Sequence, residues 1–151
     1  MSGPPGMTVR EAGWRDIPAM GEVERAAFDD PWSEATLWAE LAARPRRHYL
    51  VATDGSGVLA HAGLDLTGEV ADVMTLAVHP AARGRGLGAC LLEELHGLAR
   101  DADATSMLLE VRADNTVAHR LYLSRDYRLI RTRPGYYPGG VDALVLRKEL
   151  T

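Results

Sequence analysis

The segment Val78-His79-Pro80-Ala81-Ala82-Arg83-Gly84-Arg85-Gly86-Leu87-Gly88-Ala89 constrains this chain more than any other. Three alternating glycines stand between an apolar, strand-like run and a helical pattern of Leu87, Leu91, Leu95 and Leu98. A helix starting there points several unpaired N–H groups at whatever lies in front of it, which favours an anion. Glycine carries no Cβ to keep a ligand from the backbone. Arg83 and Arg85 can add charge-assisted contacts to phosphate oxygens. No Gly-Lys-Ser/Thr triplet follows, so the loop is not a Walker loop. Gly84, Gly86 and Ala89 come near the dinucleotide spacing G-x-G-x-x-G, but the loop sits in mid-chain after an antiparallel-looking run of strands. A flexible surface turn with two solvated arginines is the competing reading.

The elements around the loop define the class. Thr8 to Trp14 reads as a first strand. Asp16 and Pro18 open a helix in which Ile17, Met20, Val23, Ala27 and Phe28 repeat at helical spacing. Ser33 caps a second helix carrying Leu37, Trp38 and Leu41, which ends before Pro45. The period then switches to two: 48–53 and 58–66 are strands joined by the turn Asp54-Gly55-Ser56-Gly57, and 69–78 is a third. After the loop come a helix over 86–100, a strand over 106–111, a helix over 115–125 and a strand over 127–132. The stretch Pro134 to Gly140 reads as a loop before a final strand, 141–150. This pattern predicts an α/β chain with a mixed, largely antiparallel central sheet and helices on both faces. Residues 1–7, rich in Pro and Gly, are expected to be a flexible N-terminus ahead of a single domain over 8–151.

Composition narrows the function classes. The 151 residues carry a net charge of −4, which speaks against a basic nucleic-acid-binding module. No window approaches the ~20 apolar residues of a membrane span, and no signal-peptide layout opens the chain. The expectation is a cytoplasmic protein without membrane or nucleic-acid partners. Cys90 is the one cysteine, so no internal disulfide forms. His48, His61, His79, His96 and His119 lack metal-ligand spacing, and no metal is expected.

The glycine loop resembles the CoA-pyrophosphate loop of the GNAT acetyltransferases in Arg83-Gly84-Arg85-Gly86-Leu87-Gly88. Leu76-Ala77-Val78 resembles the splayed strand whose backbone pairs with the pantetheine arm. Further matches narrow the likeness to the RimI-type N-terminal acetyltransferases: Pro31-Trp32-Ser33-Glu34, then Leu109-Glu110-Val111-Arg112 with Asn115, Ala118, Leu121 and Tyr122, then Tyr136-Tyr137-Pro138 and Asp142-Ala143. The matches run in order from about Phe28 to Leu150. Where the family has Gly-Phe after the tyrosine helix, this chain has Asp126-Tyr127, and Asp tolerates a left-handed helix end. Arg44-Pro45-Arg46-Arg47, near the expected acceptor side, matches no motif and leaves the acceptor open.

The resemblance implies transfer of an acetyl group from acetyl-CoA to a protein N-terminus, the N-terminal alanine of ribosomal small-subunit protein eighteen being the implied acceptor. It places the general base at Glu110 and the general acid at Tyr122. The residue pattern alone leaves Glu110 open as an ion-pair member with Arg112 or Arg120, and Tyr122 as a core residue. Leu76, Ala77, Val78, Arg83, Gly84, Arg85, Gly86, Leu87, Gly88, Ala89 and Asn115 are the expected cofactor contacts, with the Val78 N–H facing the thioester oxygen. Trp32, Tyr136 and Tyr137 are expected to bound the acceptor groove, with Trp38 a packing residue. Cys90 is read as a small buried hydrophobe. Acetylation of a lysine or a small amine, and a catalytically silent acyl-CoA-binding module, remain the alternatives.

Overall fold

The structure, a computed structural model, describes residues 4–150. In chain order the elements are β1 (Thr8–Glu11), α1 (Ile17–Ala27), α2 (Glu34–Ala42), β2 (Arg47–Asp54), β3 (Gly57–Leu66), β4 (Val70–Val78), α3 (Leu87–Asp101), β5 (Ser106–Arg112), α4 (Thr116–Ser124), β6 (Arg128–Tyr137) and β7 (Val141–Glu149). Seven strands form one sheet in the order β1-β2-β3-β4-β5-β7-β6. Every neighbouring pair is antiparallel except β4 with β5.

Strand alternation puts the helices on both faces. Tyr49 and Val51 of β2 pack with Ile17, Met20, Leu37 and Leu41 of α1 and α2. Leu50 and Ala52, one residue out of phase, pack on the other face with Leu87, Leu91, Leu92 and Leu95 of α3. Each of those buried leucines contributes roughly 1.5–3 kcal/mol, far more than any surface ion pair of this fold at ~0–1 kcal/mol. Packing therefore fixes α3, and with it the glycine loop.

Several ends differ from the sequence reading. β1 stops at Glu11, because Gly13 to Asp16 closes a tight 3-10 turn. Asp16 does not cap α1: its carboxylate accepts from the Gly13 N–H at 2.8 Å and from Arg10 at 2.7 and 2.8 Å. The hydrogen bonds from Arg10 hold that carboxyl below its usual range. Ser33 does cap α2, its Oγ accepting from the Thr36 N–H at 3.1 Å. The expected loop from Pro134 belongs to β6, which continues to Tyr137 with an irregular register after Arg133. A proline is tolerated there because β6 is an edge strand. Asp126 adopts the left-handed conformation, φ 68°. Of the N-terminal segment, residues 1–3 lie outside the described range. Pro4 to Met7 forms a turn, with the Met7 N–H donating to the Pro4 carbonyl at 2.9 Å and Met7 buried.

Candidate active site

The sheet opens at its centre. β4 and β5 pair only over 70–72 with 106–108, and beyond Asp72 and Leu108 they diverge. A register shift between Gly63 and Leu64 bends β4 just there. On the other side of β3 that bulge site sits against β2, where a Cβ on Gly63 would lie 2.1 Å from the Tyr49 ring. The result is a V-shaped cleft whose two walls are the C-terminal halves of β4 and β5.

The β4 wall presents backbone. The His79 N–H donates to the Leu59 carbonyl, and Val78 stands opposite Ala60. In an antiparallel ladder that register leaves Val78 and Leu76 in non-hydrogen-bonded pairs with β3. Their N–H and C=O groups therefore point into the cleft. Ala77 makes the ladder bonds instead, and its side chain is buried.

One half of the cleft is a cavity of about 290 Å³ reached by Leu76, Val78, Arg83, Gly84, Gly86, Leu87, Gly88, Ala89, Asn115 and Leu121. Gly84 and Gly86 are left-handed, with φ 80° and 77°. Gly86 precedes α3, and no side chain caps that helix start. The first-turn N–H groups of α3 are thus presented to the cavity, beside Arg83. Gly88 lets α4 come close: a Cβ there would sit 3.3 Å from Leu121 Cδ2. Arg85 does not join this wall. It turns away to Asp54 at 4.0 Å and Met7 Sδ at 3.8 Å.

The other half is a cavity of about 160 Å³ that holds Glu110, Tyr122, Tyr137, Trp32, Glu24 and Thr75. Phe28, Leu76, Asn115 and Ala118 line both cavities, so the two adjoin. Asn115 also caps α4, its Oδ1 accepting from the Ala118 N–H at 3.2 Å. Glu110 lies on β5 with its side chain 33% exposed, facing Arg133 at 3.3 Å. Its ion-pair partner is thus neither Arg112, which holds Asp114, nor Arg120. Tyr122 is buried, with its ring edge-on to Tyr127, and burial pushes its phenol well above the ordinary range. Tyr136 and Tyr137 are perpendicular at 5.2 Å, with Arg133 over the first ring and Arg112 over the second. Together with Trp32, Met74 and Ile130 they border a groove leading outward from Glu110.

Other candidates stand apart from the cleft. Arg44, Arg46 and Arg47 are engaged within the fold: Arg44 holds Glu11 and the Ala12 carbonyl, Arg46 and Arg47 hold Asp65, and Arg47 also holds Glu40. Trp38 is not a core residue, being half exposed and stacked on Trp14 at 6.3 Å. Burial, then Glu94, pushes the Cys90 thiol up, the opposite of an activated nucleophile. Among the described residues no group of His, Cys, Asp or Glu could hold a metal ion. No described helix is long and apolar enough to cross a membrane.

The acetyltransferase (GNAT) family model matches residues 17–127. The chain belongs to that family. The chain is 37% identical to the N-alpha-acetyltransferase RimI of Mycobacterium tuberculosis over 141 residues, covering 89% of this chain and 87% of that protein. It is 34% identical to the [ribosomal protein bS18]-alanine N-acetyltransferase of Salmonella typhimurium, covering 87% and 89%. The crystal structure of the ribosomal-protein-S18-alanine N-acetyltransferase from Escherichia coli superimposes with a TM-score of 0.89 at 29% identity, covering 96% of this chain and 94% of that one. The open seam between β4 and β5 leaves strand backbone unpaired that a continuous sheet would bond.

Proposed function

We propose that this GNAT enzyme transfers the acetyl group of acetyl-CoA to the α-amino group of a protein N-terminus, and that the N-terminal alanine of ribosomal protein bS18 is its acceptor. The adjacency of the two cavities carries the proposal: a glycine-rich, anion-favouring half shares its wall with a half holding a carboxylate and a phenol. The names of the similar proteins from Salmonella typhimurium and Escherichia coli supply the acceptor.

The cradle fits a CoA pyrophosphate. Left-handed glycines, an uncapped helix start and Arg83 together favour an extended anion. The pantetheine arm would lie along Leu76 and Val78, whose cleft-facing backbone groups offer it a strand edge. This directs the thioester to the junction of the two cavities, where the Val78 N–H can donate to the carbonyl oxygen as negative charge develops on it.

An α-amino group with a pKa near 8 is roughly one-tenth neutral at pH 7, whereas a lysine near 10.4 is neutral in well under a thousandth of molecules. Glu110 accepts the proton the amine loses, directly or through one water. The amine nitrogen bonds to the carbonyl carbon, the C–S bond breaks, and the electron pair leaves with sulfur. Tyr122 lines the same cavity as Glu110, and its phenol, raised by burial, would donate toward that sulfur. Its first contribution is hydrogen-bond donation to the growing thiolate, which becomes proton transfer as the sulfur gains charge.

The test is CoA thiol release at pH 7 with two peptides, one with a free N-terminal alanine and one with that terminus blocked and a lysine inside. Release with the first alone supports the proposal. Release with the second alone assigns the enzyme to lysine chemistry, and tight CoA binding without release assigns it to a silent binding module.

A further inference from the structure

A buried polar cluster forms part of the wall of the acceptor half of the cleft, and none of the proposed steps uses it. Glu24, in the last full turn of α1, has a side chain only 2% exposed. Its Oε2 accepts from His61 at 2.8 Å and from the Thr75 hydroxyl at 3.0 Å. Its Oε1 accepts from the Trp32 backbone N–H at 3.0 Å. His61, on β3, is fully buried, and its Nδ1 has no partner among the described residues. Its Nε2 faces Glu24, so the ring is held between β3 and α1. Three donors from three different segments thus converge on one carboxylate.

The placement gives that convergence a consequence. Glu24 holds both ends of the turn that joins α1 to α2. Its carbonyl accepts from the Phe28 N–H at 3.0 Å, and its carboxylate accepts from the Trp32 N–H. Phe28 lines both cavities, and Trp32 lines the acceptor cavity and the outer groove. The hydroxyl of Thr75 ties the same carboxylate to β4, one residue from the cleft-facing Leu76. An apolar side chain of similar size would fill this space without the cost of burying a charge. What the carboxylate adds is a fixed distance between the acceptor turn and the splayed strand.

We propose that Glu24, with His61 and Thr75, is a positioning residue for the acceptor: it latches the Phe28–Trp32 turn to β4 and so sets the width of the acceptor cavity. The inference rests on the acceptor lying in that cavity, as proposed above. The carboxylate's bonds run to Trp32, His61 and Thr75, and Phe28, which also lines the CoA half, is held by the Glu24 backbone carbonyl instead, so the effect of changing the side chain falls on acceptor binding.

The experiment compares the wild type with Glu24→Gln and Thr75→Val in three measurements: hydrogen exchange of the Trp32 amide by NMR, KM for a free-N-terminus peptide, and Kd for CoA. In Glu24→Gln the Trp32 amide is expected to exchange about tenfold faster and the acceptor KM to rise about tenfold, the scale of replacing a charge-assisted hydrogen bond by a neutral one. Thr75→Val, which keeps the volume and removes one donor, is expected to give a rise of about threefold and serves if Glu24→Gln does not fold. CoA Kd is expected to stay within about twofold of wild type in both, since no cradle bond is lost. Unchanged Trp32 exchange, or faster exchange with an unchanged acceptor KM, overturns the proposal, as does an equal shift in CoA Kd. A wild type that acetylates no N-terminal peptide overturns the acceptor reading and the positioning role with it, while Trp32 exchange still decides the latch.

Discussion

Arg133, on the edge strand β6, reaches across β7 to set its Nε 3.3 Å from the Glu110 carboxylate on β5. The pair is partly exposed on both sides, so it contributes only ~0–1 kcal/mol to stability. The contact is an ion pair only, with no hydrogen bond from Nε to the carboxylate. Arg133→Gln is expected to leave the melting temperature unchanged and to lower acceptor kcat/KM by no more than about fivefold. Glu110→Gln, which removes the proton acceptor, is expected to lower kcat by about 10²–10⁴ with CoA affinity retained. Steady-state kinetics and CoA calorimetry on the two variants separate the proposed base from the arginine beside it.

Tyr122 has no hydrogen-bond partner for its hydroxyl among the described residues, although the ring is buried. Tyr122→Phe therefore loses no protein bond, and its melting temperature is expected to equal or slightly exceed that of the wild type. Turnover is expected to fall by about 10²-fold, the low end for loss of a general acid. A loss of stability without a loss of turnover would make Tyr122 a core residue only.

Gly86 is left-handed at φ 77° and starts α3 without a cap. Gly86→Ala forces a Cβ into that region at a cost of about 1–2 kcal/mol. If the backbone relaxes to avoid the strain, the first-turn N–H groups lose their aim. CoA Kd measured by calorimetry is expected to rise about tenfold, which corresponds to ~1.4 kcal/mol. Acceptor KM is expected to stay unchanged.

Tyr49, Tyr122 and Tyr127 all have phenols pushed upward chiefly by burial. A raised folded-state pKa means the folded protein keeps protons that the unfolded chain gives up. The stabilising contribution is full below about pH 10, the unfolded value, and is lost as pH climbs above it. Urea unfolding between about pH 8 and 11 is expected to show stability falling beyond about pH 10. Tyr127→Phe is expected to shallow that fall, having one fewer such group.

The parts of the molecule legible in the sequence are those written in local patterns. Leucine periodicity marks α3, Ser33 marks the start of α2, and the Asp54 turn marks the β2–β3 hairpin, where Asp54 accepts from the Ser56 N–H at 2.7 Å. The glycine loop is legible for the same reason, because left-handed residues before a helix call for glycine. The V-shaped cleft is not local. It arises where β4 and β5 stop pairing, and no residue announces that. Arg133 as the partner of Glu110 depends on the strand order β5-β7-β6, which brings together residues far apart in the chain. The Glu24 cluster depends likewise on α1 lying over β3 and β4. Pro134 and Gly135 hid the last part of β6, because they signal a turn everywhere except on an edge strand.

Mass spectrometry tests most directly whether the enzyme acetylates a protein N-terminus with Glu110 as the base. A peptide with a free N-terminal alanine and an internal lysine would be incubated with acetyl-CoA and either the wild type or Glu110→Gln. Acetylation at the α-amino group alone, present with the wild type and lost with the variant, is the predicted result. Acetyl on the lysine in place of the α-amino group, or equal α-amino acetylation by Glu110→Gln, would contradict it.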